Sequence, residues 1–155
     1  PRFFEVSSEE LKQWRLEAGD VLIIEGNGSP AQIGRAALFR GEIPDCVHQN
    51  HVIRIRPNRE VIDPEFLNSY LNGPPGQEEV HSRSRTTSGL RNLSLGRIKE
   101  ITVPVPPLDE QRRVATHVAA VQAKLSDLRR VQAETAAELD ALLPSVLDKA
   151  FKGEL

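Results

Sequence analysis

The sequence predicts an α+β fold. A small mixed α/β domain over residues 1–106 precedes a long C-terminal coiled-coil helix over residues 107–155. Three observations predict it. Short β-patterned runs such as Val21-Leu22-Ile23-Ile24 are interspersed with helix-start signals such as Asp63-Pro64. Pro106-Pro107 forms a stiff hinge. Beyond it, Val114, Val118, Val121, Leu125, Leu128, Gln132, Thr135, Leu139 and Leu142 recur in steps of four and three. That is the 3.5-residue seam of a coiled coil.

The elements follow in order. Ser7-Ser8-Glu9-Glu10 fits a capping box and opens a short helix through Leu16. Gly19-Asp20 breaks it, and Val21–Ile24 is a buried strand. Gly26-Asn27-Gly28-Ser29-Pro30 is a turn. Ile33–Phe39 and Val47–Ile55 are further strands, and in the latter Ile53 and Ile55 face opposite to Arg54 and Arg56. Asp63 caps a helix from Pro64 to Leu71, which Gly73-Pro74-Pro75-Gly76 ends. Residues 77–82 suit one more helical turn, residues 83–92 a loop, and Ile101–Val105 an edge strand interrupted by Pro104. The long helix runs from about Asp109 to Leu143, a rod of about 50 Å. Pro144 is expected to break or kink it, a last amphipathic turn spans Val146–Phe151, and Gly153 stops that turn.

Composition narrows the function. The net charge is −2 and divides evenly, with 13 basic and 14 acidic residues before the hinge at 106/107 and 7 and 8 after it. Any nucleic-acid surface must therefore be local. The single Cys46 excludes an internal disulfide and suits a reducing compartment, so a cytoplasmic location is expected. No apolar stretch approaches the length of a membrane span. The chain starts at Pro1 and has no methionine, which reads as a fragment lacking its natural start.

A lone helix cannot bury its own seam, and no second heptad stretch exists in the chain, so the seam asks for a partner. Its aliphatic members give roughly 10 kcal/mol gross on pairing, from which association removes several kcal/mol. Gln132 and Thr135 cost stability but can fix register. A second constellation runs from His81 to Asn92. Residues 81–99 hold four arginines and Lys99 with no acid until Glu100. Arg83, Arg85, Thr86, Thr87, Ser88, Arg91 and Asn92 are the candidate DNA contacts, because guanidinium forks and hydroxyls suit phosphate oxygens and guanine edges. Gln49 and Asn50 form a second rank, since their amides can read adenine. The bland alternatives are a solvated loop and an ordinary half-exposed strand bearing Arg54, Arg56 and Arg59.

Catalytic chemistry finds no footing. Cys46, His48 and His51 lack a convincing fourth zinc ligand, and the two histidines fall on opposite faces of a strand. Asn27-Gly28 lacks phosphate-loop spacing, and no nucleophile elbow, zinc-protease or methyltransferase motif occurs. Glu78-Glu79 reads as a polar surface pair. No cofactor or metal is expected.

Val103-Pro104-Val105-Pro106-Pro107-Leu108-Asp109-Glu110-Gln111-Arg112-Arg113-Val114 resembles the junction of Type I restriction-modification specificity subunits. There a P-x-P-P-L-x-E-Q element leads from a target-recognition domain into a conserved helix. Ala150-Phe151-Lys152-Gly153-Glu154-Leu155 is similar to the close of that helix region. Ala18–Ile23, Gly34–Ala37 and Gln49–Arg54 match the distal part of such a recognition domain. The resemblance implies a target-recognition domain over 1–106, incomplete at its start, and a spacer and dimerisation helix over 107–155. It implies a non-catalytic DNA-specificity component whose partners are double-stranded DNA, methyltransferase subunits and, where restriction occurs, a motor subunit. In this family two such helices pair antiparallel. Half a subunit should therefore dimerise or pair with another half, and read a two-part symmetric site across an unread gap of at most about 15 base pairs. The other class of reading is a coiled-coil interaction module that binds no DNA.

Overall fold

The computed structural model describes residues 5–26, 32–87 and 90–153; the side chains of residues 85–92, 143 and 145 also lie outside the description. The chain divides into two compact units, Pro1–Ala115 and Thr116–Leu155. A mixed first unit and a long C-terminal helix are what the sequence predicts.

Unit 1 begins with α1, Ser8–Trp14. Its capping box forms as expected: the Ser7 hydroxyl accepts from the Glu10 N–H at 3.2 Å, and the Glu10 carboxylate accepts from the Ser7 N–H at 2.9 Å. Those bonds hold the Glu10 carboxyl below its ordinary value. Three strands follow: β1 (Val21–Ile24), β2 (Ala36–Leu38) and β3 (Val52–Ile55). They form one antiparallel sheet in the order β2-β1-β3. Then come α2 (Pro64–Asn72), α3 (Pro74–Arg83), the strands β4 (Arg85–Thr87) and β5 (Leu90–Asn92), and α4 (Leu95–Ile98).

The core lies on the sheet face that carries Val21, Ile23, Ile53 and Ile55. Ile23 packs with Ile33, Val80, Leu93 and Ile98. Val21 packs with Leu67 and Leu71 of α2, and Ile55 and Ile101 join both clusters. The inward side chains of β1 and β3 thus follow the period-2 expectation. Gly34 shows how tight this packing is. Its φ is 74°, and a Cβ there would sit 2.0 Å from the Val80 Cγ1, so only glycine fits.

Several expected elements differ. The second and third strands are shorter than predicted. Ile33 and Gly34 form a turn, and Val47 joins Arg15 in an isolated bridge rather than extending β3. Gly73-Pro74-Pro75-Gly76 does end α2, but it also starts α3. Pro74 sits at the first helical position, where a missing N–H costs nothing. Residues 83–92, expected as a loop, contain the β4–β5 ladder, with Thr87 opposite Leu90. The expected strand Ile101–Val105 is absent. Pro104 removes a ladder donor. Thr102 instead donates to the Glu79 carboxylate at 3.2 Å and accepts from the Tyr70 hydroxyl at 3.1 Å. Most of the expected turn at Gly26–Pro30 lies outside the described residues.

The helix α5 runs from Leu108 to Lys152, 45 residues or about 67 Å. It does not break at Pro144. One proline removes one hydrogen bond from the ladder, while helix propagation on both sides continues to add one bond per residue.

Candidate nucleic-acid interface

The β4–β5 ladder is held at its base. Leu93, immediately after β5, is fully buried, and its N–H donates to the Glu25 carbonyl at 2.8 Å. On the other side, Arg97 of α4 donates to the Arg83 carbonyl at 2.9 Å. The strands β4 and β5 therefore share a fixed base. The candidate contacts Arg85, Thr86, Thr87, Arg91 and Asn92 lie on these two strands, but their side chains fall outside the description, as does Ser88 entirely. Arg83 is half-buried and pairs with Glu79 one turn earlier on α3. Glu79, read from the sequence as a bland surface acid, thus positions both Arg83 and Thr102.

Gln49 and Asn50 are exposed in the turn that precedes β3. The same Glu25 that accepts from Leu93 donates its N–H to the His51 carbonyl at 3.1 Å. One residue at the end of β1 therefore anchors both the Gln49-Asn50 turn and the base of the ladder. Two candidate groups far apart in sequence come to one end of the sheet.

Arg54 of β3 and Arg56 just beyond it are used internally. Arg54 donates to the carbonyls of Gln13 and Arg15 at 3.2 and 2.8 Å. Arg56 grips the buried Asp20 with both ends of its fork, each at 2.8 Å, and reaches Glu17 at 2.7 Å. Burial alone would raise the Asp20 carboxyl. The Arg56 fork and the Glu17 N–H outweigh burial and hold it below its ordinary value. Asp20 in turn raises the Arg56 guanidinium. A group with a depressed folded value stabilises the fold above its unfolded value and loses that contribution as pH falls through the folded one. Asp20→Asn should cost about 3 kcal/mol in urea unfolding at pH 7. The gap between wild type and variant should persist at pH 5 and shrink below about pH 4. A gap that is unchanged at pH 3 contradicts this assignment.

Sequence reasoning missed Gln111. It is fully buried. Its Oε1 accepts from the Asp63 N–H at 2.8 Å, and its Nε2 donates to the carbonyls of Val61 and Pro106 at 3.0 and 2.6 Å. It fastens the first turn of α5 to the approach of α2, within unit 1. A polar residue on an amphipathic helix normally reads as solvent-facing. The one available signal was its place in the Pro-Pro-Leu-Asp-Glu-Gln junction.

The seam of α5 is largely exposed. Leu125, Leu128, Leu139 and Leu142 retain 47%, 61%, 62% and 57% of their accessible surface. Val114 and Val121 are exposed and Val118 is half-buried, while Gln132 and Thr135 are exposed. Among the described residues, no group of three or more His, Cys, Asp or Glu side chains could hold a metal, and no helix is long and apolar enough to cross a membrane.

Unit 1 is a small antiparallel domain with polar turns gathered at one end of its sheet, and α5 carries an exposed heptad seam. Comparison with known proteins names the class. The family "Type I restriction modification DNA specificity domain" matches residues 5–135. The chain is 29% identical over 155 residues to the Type I restriction enzyme EcoKI specificity subunit of Escherichia coli K12, covering 99% of this chain and 33% of that protein. It is 28% identical to the StySPI specificity subunit of Salmonella potsdam, with the same coverage. The crystal structure of the HsdS subunit from Thermoanaerobacter tengcongensis shares the fold, with a TM-score of 0.63 at 24% identity over 83% of this chain and 32% of that one. This chain belongs to the Type I restriction-modification DNA specificity family. It spans about a third of the length of the curated relatives it matches.

Proposed function

We propose that the chain is the DNA sequence-specificity component of a Type I restriction-modification system and reads one half of a two-part site. Unit 1 serves as the reader, with Arg85, Thr86, Thr87, Ser88, Arg91 and Asn92 as contacts and Gln49 and Asn50 beside them. Arg83 completes the set in a positioning capacity, because Glu79 holds it. The chain itself performs no chemistry; methyltransferase subunits dock on it in the cytoplasm and supply the reaction, and a motor subunit, where one is encoded, adds restriction. The helix pairs two copies, so the assembled site is symmetric with an unread gap. The observation that carries this reading is the family match, which extends from the start of α1 well into the seam of α5. The convergence of the two polar groups at Glu25 supports the choice of DNA-facing end.

A salt titration tests it. Binding of the chain, with its methyltransferase partner, to duplex carrying the site should weaken steeply with salt. Arg85→Ala with Arg91→Ala should reduce the slope of log K against log salt by about one to two units. Absence of duplex affinity with the partner present would instead favour a coiled-coil interaction module that binds no DNA.

A further inference from the structure

The continuity of α5 through Pro144 adds Val146 to the seam, in the same step of four that leads from Leu142. The extended seam then contains Val121, Leu125, Leu128, Gln132, Thr135, Leu139, Leu142 and Val146. Read from its centre outward it is the same in both directions: a polar residue, two leucines, a valine. Pro144 itself falls on the outer face of the heptad, opposite the seam.

Resting on the self-pairing proposed above and on the antiparallel direction that the family resemblance implies, we infer its register: Gln132 of each chain lies opposite the partner's Thr135. Leu128 then meets the partner's Leu139, Leu125 the partner's Leu142, and Val121 the partner's Val146. Every aliphatic side chain in this stretch finds an aliphatic one, and the amide finds a hydroxyl. The competing arrangements fail on charge and on polarity. In a parallel pair Lys124 would face the partner's Arg129 on both sides of the seam, two like-charge contacts with no compensating attraction. In an antiparallel pair slipped by one heptad, Gln132 would face a leucine, Thr135 would face another, and Arg129 would meet its own copy on the two-fold axis. That slip gains one kind of exposed pairing, Lys124 with the partner's Glu138, made twice by the two-fold axis, just as the two unpaired amides are. An unpaired buried amide costs more than such a surface pair returns. The slip would also draw Val114 into the pair, on two turns where Gln111 and Ala115 are already buried within unit 1. In the palindromic register Arg129 lies opposite the partner's Ala136 and no like charges meet. The charges flanking the seam therefore disfavour the parallel direction, and the polar layer specifies the register.

Two nitroxide labels decide the matter, each introduced singly into the intact chain carrying Cys46→Ser. Ala123→Cys and Ala137→Cys both lie on the exposed outer face of the helix, so their lateral offsets match. In the proposed register the axial separation between copies is about 32 Å for position 123 and about 10 Å for position 137. Pulsed electron-electron double resonance should show those two separations, the longer at position 123. A separation of about 42 Å at position 123 with no axial separation at position 137, as the opposite one-heptad slip would give, overturns the register. Equal distances at the two positions, as a parallel pair or the one-heptad slip would give, overturn the register. A longer distance at position 137 overturns it too. Absence of dipolar coupling at tens of micromolar overturns the self-pairing itself. Gln132→Leu combined with Thr135→Val should release the register and add a second population in which both positions give similar distances. A single unchanged population in that variant would overturn the role of the polar layer.

Discussion

Replacing Leu125 with aspartate should raise the dissociation constant for self-association by at least about a thousandfold. The seam has no polar group at that level to receive a carboxylate, and a two-fold pair introduces the charge twice. An uncompensated charge in an apolar layer costs several kcal/mol per copy, and about 4 kcal/mol already corresponds to a thousandfold. The same change should leave unit 1 folded, because Leu125 belongs to unit 2 and is 47% exposed in the single chain. Sedimentation velocity at tens of micromolar should show a dimer for the wild type and a 17.2 kDa monomer for the variant. Both proteins should retain the same thermal transition for unit 1. Identical sedimentation of the two would contradict the assignment of this stripe to pairing.

Gln111→Leu should destabilise unit 1 by about 4 kcal/mol, enough to unfold many domains of its size near body temperature. The leucine fits the volume but satisfies nothing. The Asp63 N–H and the carbonyls of Val61 and Pro106 all lose their partner where water has no ready access. Each buried group left unpaired costs about 1–3 kcal/mol. Urea unfolding followed by the fluorescence of Trp14 should shift its midpoint down by more than 1 M, since m-values for small domains are about 1–3 kcal/mol per molar. A shift of a few tenths would mean that the junction glutamine is not a latch.

These expectations separate what the sequence discloses from what it withholds. The caps at Ser7 and Asp63 were legible because a cap is a local bond between residues two or three apart. The apolar run of β1 was legible because burial on a sheet needs no more than its own side chains to announce it. The β4–β5 ladder was not, since Arg85–Asn92 is polar and offers no alternation. Its strands are fixed by Leu93 and Arg97 beyond them. The start of α3 is not legible in the sequence, because a proline such as Pro74 can follow one helix or open the next, and only the fold decides which sense applies. The Ile101–Val105 segment has strand composition but finds side-chain partners, Glu79 and Tyr70, in place of a ladder.

The candidate site was legible in part. Composition located the arginine-rich segment and the Gln49-Asn50 pair separately. Their meeting at Glu25 depends on backbone bonds between residues dozens of positions apart, which no local pattern encodes. Gln111 and the Asp20–Arg56 pair were hidden for the same reason: a polar residue reveals that it is buried only through the partners that surround it. The seam was the opposite case. Its spacing needed no tertiary information, and the structure extended it through Pro144.

As the proposed reader of half of a paired site, this chain should direct sequence-specific modification. Genome-wide methylation profiling, with and without the full-length gene, tests it most directly. A symmetric two-part motif, with an unread gap, should lose its methylation when the gene is removed and regain it when the gene is restored. An unchanged set of methylated motifs, with the methyltransferase subunit still expressed, would contradict it.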